Sequence, residues 1–313
     1  MAGKMIEEEK YFDYLYQALI SNKIVPNSNL WRENLEYVVS FLKIDRDYIK
    51  RLKEEYSAQF SDVVLVNSTK NILLCKGINN PISKELCAIS VYFSLLGCLI
   101  DFWVDSGIED LRIKGIQKLS WNKCKIFFQD FNDKKNIEDI ADELFLIVGK
   151  GMHTISIDNP EVYKYLLKLI RKVTVSEVTV AEKSFNAEED MIYNKSVLFV
   201  EIALLIAIGN KTDLKKEDYC ALKKIGLLYA YIDDIIDIYE DINNNQGNIF
   251  VKRLYAGESY KTIIDTSIQQ ISTLICEIRE YFGDKLAEFL LNEISDWIFT
   301  NKNLMRKIHE SRG

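Results

Sequence analysis

The chain has 313 residues, 48% of them hydrophobic and 28% charged, with a formal net charge of −7. That length holds one large or two small domains with a substantial core, and the composition is that of a globular chain, not a disordered one. The acidity gives no electrostatic support for nucleic-acid binding, and three prolines and 13 glycines are too few for the turns of a β-sandwich or barrel. His153 and His309 are the only histidines, which gives little support to Ser-His-Asp, Cys-His or multi-histidine metal chemistry. The six cysteines, Cys75, Cys87, Cys98, Cys124, Cys220 and Cys276, form no Cys-x-x-Cys spacing and read as reduced thiols. Residues 1–10 are charged and lack the apolar core of a signal peptide. The apolar run 87–100 is broken by Ser90, Ser94 and Gly97 and is too short to span a bilayer. A cytoplasmic protein without a transmembrane segment is expected.

Apolar residues recur with helical period from end to end. Helices are expected near 5–22, 28–42, 46–66, 82–106, 109–130, 136–156, 160–184, 188–209, 215–242, 257–282 and 284–309. Asn136 before Glu138 and Asp139 reads as a helix start, as does Asn159 before Pro160 and Glu161. Connections are short except at 243–256, where Asn243-Asn244-Asn245-Gln246-Gly247-Asn248 interrupts the pattern. The basic tail Lys302–Arg312 reads as a solvated last turn. With no linker and no repeat, residues 1–313 are expected to form a single all-α bundle of about ten to twelve helices around a central cavity.

Two of these helices are apolar on nearly every face and carry aspartates towards one end, so both belong inside the domain. In Cys98-Leu99-Ile100-Asp101-Phe102-Trp103-Val104-Asp105, Asp101 and Asp105 are i and i+4 and point the same way from adjacent turns. In Tyr229-Ala230-Tyr231-Ile232-Asp233-Asp234-Ile235-Ile236-Asp237-Ile238-Tyr239-Glu240-Asp241, Asp233, Asp237 and Asp241 recur every fourth residue, with Asp234 beside them. No lysine occurs from Leu227 to Val251 to solvate that stripe. Carboxylates crowded in this way repel one another unless a cation intervenes, and hard oxygen ligands suit Mg²⁺. Between the two stripes, Lys195-Ser196 enters a third apolar helix, where a lysine can meet a phosphate as a point charge or simply lie at the surface.

These elements, in this order, resemble the trans-prenyltransferase and class I terpene-synthase superfamily over about 85–125 and 190–255. The resemblance implies three Mg²⁺ ions on a substrate diphosphate. By the same resemblance Asp101 and Asp105 would face Asp233, Asp234, Asp237 and Asp241 across a cavity, and Lys195, Ser196 and Arg112 would contact the diphosphate. The chain departs from the elongating enzymes. It lacks their Gly-Lys-Arg-x-Arg-Pro run, Lys76 being the sole base in 71–81, and their Arg-Arg pair after the first motif. Phe102 also stands where their second aspartate would be. In these respects it is similar to the bacterial large-terpene synthases, which the segment Gly247-Asn248-Ile249-Phe250 fits loosely.

The implied activity is a terpene synthase, a carbon–oxygen lyase that ionises a prenyl diphosphate and releases diphosphate and a terpene. Phe93, Gly97, Phe102 and Tyr229 are the expected chain-pocket residues. Gly97 and Phe93 lie one and two turns below Asp101, roughly 6 and 12 Å deeper. A glycine at the first level leaves it open, which favours farnesyl or longer substrates. Two alternatives stay open: a prenyltransferase joining an allylic diphosphate to isopentenyl diphosphate or another acceptor, and a non-catalytic subunit of a prenyl synthase. The resemblance also leaves a homodimer open.

Overall fold

The structure, a computed structural model of the chain, describes residues 8–24, 35–55, 59–104, 108–119 and 139–300. Among these are fourteen α-helices and no strand. They are α1 (Glu8–Ser21), α2 (Leu35–Leu42), α3 (Arg46–Glu55), α4 (Gln59–Gly77), α5 (Lys84–Val104), α6 (Glu109–Lys118) and α7 (Ile140–Asp158), then α8 (Pro160–Lys183), α9 (Glu189–Ala207), α10 (Lys216–Ile236), α11 (Ile238–Asn244), α12 (Ile249–Tyr255), α13 (Tyr260–Phe282) and α14 (Asp284–Thr300). One continuous set of buried side chains, from Tyr11 in α1 to Phe299 in α14, joins them in an all-α bundle. Asp105, Cys124, Asn136 and the tail 302–312 lie outside the described residues.

Several boundaries differ from the sequence reading. The segment 46–66 is two helices, and α4 continues to Gly77 where no helix was expected beyond 66. Helix α7 starts at Ile140, capped by the Asp139 carboxylate, which accepts from the backbone N–H groups of Ala141 and Asp142. Asn159 caps α8 with Pro160 at its first position, as expected. The helix expected over 215–242 is interrupted at Asp237, and part of the expected loop 243–256 is the short helix α12.

The site depends on how α9 lies between α5 and α10. A short connection turns α9 back into α10, so the two are antiparallel neighbours. Their register is fixed by Val197 against Gly226 and by the Tyr193 and Tyr231 rings, 6.3 Å apart. Helix α9 also runs antiparallel to α5. Ser90 donates to the Ala203 carbonyl at 2.6 Å, Phe199 lies over Gly97 and stacks on Phe93 with centroids 5.1 Å apart, and Lys195 meets Asp101. Both neighbours therefore bring their C-terminal ends, where the aspartates are, to the same end of α9. Glycine permits both approaches. A Cβ at position 226 would lie 2.5 Å from the Val197 carbonyl oxygen, and one at position 97 would lie 1.9 Å from the Phe199 ring.

Helix α4 closes the layer behind α5 through the Asn71 amide, which donates to Ser90 Oγ at 2.9 Å. Among the described residues α5 alone is long and apolar enough to cross a membrane, yet 78% of its apolar window is buried inside the bundle. Helix α6 is tied to α7 by Lys118, whose ammonium lies 2.7 Å from Asp142 and 3.1 Å from Asp139. Such a pair costs more when broken than it contributes when made.

Gly226→Ala is expected to destabilise the fold by about 1–3 kcal/mol, because the clashing atom is backbone and α9 has to move. Urea denaturation checks this; an unchanged midpoint would mean that the two helices are not held in contact here.

Candidate active site

Asp101 lies in the last turn of α5, where its side chain is half exposed, and its Oδ1 is 3.0 Å from Lys195 Nζ. The lysine is only 18% exposed and is also 3.8 Å from Glu177 Oε2, which reaches in from α8. One ammonium is thus shared between carboxylates of two helices. One turn beyond Glu177 on α8, the Ala181 carbonyl accepts from Arg112 on α6. This bond holds α6 against the site and engages Arg112 with backbone. Ser196, partly buried, follows Lys195 on α9.

Asp233 and Asp234 occupy the last turn of α10. The Asp233 carboxyl is held well above the usual carboxylate range by burial, then by Asp237, Asp234 and Asp101, with Lys195 opposing. The Asp234 carboxyl is raised by burial and by Asp241, and relieved by the Ile249 N–H and Lys195. Asp101 and Asp233 therefore share a field across Lys195, although they belong to helices more than a hundred residues apart.

The interruption at Asp237 divides the second stripe. Asp237 caps the end of α10 and the start of α11, with its N–H on the Asp233 carbonyl and its own carbonyl accepting from the Asp241 N–H at 2.8 Å. Asn248 links Asp241 to the backbone of Asp234, its amide donating to Asp241 Oδ2 at 2.7 Å and to the Asp234 main-chain carbonyl at 2.9 Å. The Asn248 Oδ1 meanwhile accepts from the N–H groups of Phe250 and Val251, capping α12. The four-residue spacing of Asp233, Asp237 and Asp241 thus spans two helices that meet at Asp237. The last-turn carbonyl of Ile235, which a helix end leaves without a backbone partner, accepts from the buried Tyr11 hydroxyl of α1 at 2.8 Å.

The chain-pocket residues fare differently from expectation. Phe93 is buried, but Gly97 does not leave its level open, because the Phe199 ring fills it. The helical-wheel geometry was sound; what it omitted was the neighbour that uses the missing Cβ. Phe102 is 48% exposed and forms no part of a buried wall. Tyr229 sits one turn below Asp233 and donates to Glu293 Oε2 at 2.6 Å, with Lys70 Nζ 3.3 Å from its oxygen.

Glu177, Phe199, Lys70 and Glu293 were not singled out from the sequence. Glu177 and Glu293 each stand alone among apolar neighbours (Val173-Thr174-Val175-Ser176-Glu177-Val178 and Phe289-Leu290-Leu291-Asn292-Glu293-Ile294), a pattern that could have marked them. Among the described residues no three acidic, histidine or cysteine groups already converge as a metal centre. Asp101 is turned to Lys195 and Asp241 to Asn248. The donor set nevertheless fits a hard divalent cation: it is all carboxylate oxygen, and its like charges are crowded enough to raise two carboxyls. No family model matches the chain, and no curated protein matches it either.

Asp233 and Asp234 titrate above their unfolded values, so what they contribute to stability is present in acid and lost as pH rises through the raised values. Melting temperature without divalent cation should fall as pH rises from the ordinary carboxylate range through the raised values of these two groups. Saturating Mg²⁺ should restore it at the upper end and have little effect after Asp233→Asn. A melting temperature indifferent to Mg²⁺ throughout would contradict cation binding by these carboxylates.

Proposed function

We propose that the chain is a class I terpene synthase, a carbon–oxygen lyase that ionises a prenyl diphosphate in a Mg²⁺-dependent step. The observation that carries this reading is the convergence of Asp101 with Asp233 on a single lysine, Lys195, at one end of three apolar helices. A solvated acidic surface would neither raise the Asp233 carboxyl nor enclose its counter-charge. Asp101, with Asp105, and Asp233, with Asp234, Asp237 or Asp241, are the residues that would hold Mg²⁺, three ions in the resembling family. When bound, Mg²⁺ neutralises the leaving diphosphate as a Lewis acid.

The chain's own residues would do the rest. Lys195 leaves Asp101 for the diphosphate and meets the charge that develops on its bridging oxygen as the allylic C–O bond breaks. Glu177 keeps the ammonium aimed during that exchange, since it approaches from the other side. Asn248 fixes Asp241 and Asp234 relative to one another, which sets the geometry of the second carboxylate group. Paired rings at Phe93–Phe199, Tyr193–Tyr231 and Tyr229–Trp297 lie on the helices that flank the carboxylates. Aromatic faces of this kind stabilise a cation and exclude water.

Purified protein with Mg²⁺ and geranyl, farnesyl, geranylgeranyl or longer diphosphates, each with and without isopentenyl diphosphate, tests the assignment by mass spectrometry of products. A terpene from one diphosphate is expected. Lys195→Met and Asp233→Asn should lower turnover by about 100-fold or more. A longer diphosphate made only with isopentenyl diphosphate would assign prenyl transfer in its place.

The preference for farnesyl or longer chains relied on an open level at Gly97, and the Phe199 ring removes that support. Phe199 becomes the residue that sets chain length. Phe199→Ala should move the preferred substrate at least one isoprene unit longer, read as a ratio of kcat/KM values; an unchanged ratio would place the chain elsewhere.

A further inference from the structure

Between the aspartate helices and one turn deeper lies a polar cluster that ionisation does not use. Lys70 of α4 and Glu293 of α14 are both buried, 3% and 7% exposed, and both are bonded to the hydroxyl of Tyr229 on α10. Lys70 Nζ also lies 4.4 Å from the centre of the Tyr229 ring. Cys98 of α5 is in the electrostatic reach of Lys70 and of Asp101 and Asp233. Tyr229 itself precedes Asp233 by one helical turn, about 6 Å.

A lysine and a glutamate inside an apolar bundle are costly, and pairing them seldom returns a net gain over hydrophobic packing. Their depth is where the first carbons of a chain would lie once its diphosphate is held by the aspartates. We propose that Tyr229, backed by Glu293 and Lys70, is the proton acceptor that ends the carbocation sequence; this rests on the terpene-synthase assignment above. A C–H bond next to the cationic carbon breaks, and its electron pair forms the product double bond. The proton goes to Tyr229 Oη, while the phenolic proton passes to Glu293 Oε2. The carboxyl returns that proton to water as product leaves. Tyr229 meets the substrate, whereas Glu293 and Lys70 are positioning residues that act through it.

The local electrostatics fit a group that exchanges protons near neutrality. Burial raises the Glu293 carboxyl to about 7, with Asp296 adding and Lys70 and Tyr229 opposing. Burial lowers the Lys70 ammonium to about 8, against Glu293 and Cys98. The titratable neighbours facing the cluster are thus Cys98 from α5, Tyr229 from α10 and Asp296 from α14.

The test compares wild type, Tyr229→Phe and Glu293→Gln with Mg²⁺ and farnesyl or geranylgeranyl diphosphate, measuring diphosphate release and product distribution separately. Diphosphate release reports ionisation, and product distribution reports how the cation is quenched. The ratio of wild-type product to alternative alkenes and alcohols should change by about tenfold or more in both variants. That ratio should also vary with pH around neutrality in wild type and become flat in Glu293→Gln. Unaltered products and pH profile in folded variants would overturn the relay and leave the synthase assignment standing. Absence of diphosphate release from wild type would sink both. If Tyr229→Phe does not fold, Glu293→Gln and Lys70→Met decide the matter by the same readouts.

Discussion

Like charges do not gather inside a protein unless something forces them together, and here the force is the packing of α9. Its neighbours α5 and α10 touch it at glycines, 97 and 226, where a methyl group would collide with a ring or a carbonyl. Dispersion and burial along those helices outweigh the repulsion among a few carboxylates at their ends, since each buried aliphatic side chain contributes about 1.5–3 kcal/mol. The cost of the aspartates is met by the hydrophobic length of the helices that carry them. Lys195 reduces it further by standing between them.

The break at Asp237 is the second accommodation. A continuous helix would have stacked Asp233, Asp237 and Asp241 one above another at four-residue spacing. Helix α10 ends at Ile236, α11 restarts at Ile238, and Asp241 meets Asn248, which serves two purposes. Its amide bridges the Asp241 carboxylate and the Asp234 main-chain carbonyl, and its side-chain oxygen begins the next helix. That double use gives the Gly247-Asn248-Ile249-Phe250 segment a physical meaning in this chain.

The class of fold was legible in the sequence because helical periodicity, few prolines and two all-apolar helices are local properties. The apolar stretches 86–105 and 225–241 predict buried helices, and most of their described apolar side chains are buried. Asn159-Pro160 marked a helix start because capping chemistry is also local. What could not be read was which residue of one helix faces which residue of another. Gly97 read as open space because the ring of Phe199, 102 positions later, is brought there only by the antiparallel register. Lys70 is hidden for the same reason, and although Glu177 and Glu293 stand out within their own segments, the partner each meets lies on another helix. The break at Asp237 escaped notice because the surrounding isoleucines are compatible with continuing helix, and the charges that end it act through space.

The hydroxyl of Tyr11 on the Ile235 carbonyl joins groups 224 positions apart, and the Tyr14 hydroxyl on Asp265 joins groups 251 apart. Closing so large a loop costs chain entropy that local helix formation does not repay until the final contact is made. Topologically, the second acid motif is finished by the first helix of the chain. The motif's last turn is thus completed when the two ends of the sequence meet, among the latest events that a folding route dominated by local helices would contain. Completion of that turn and completion of the tertiary structure are consequently the same event.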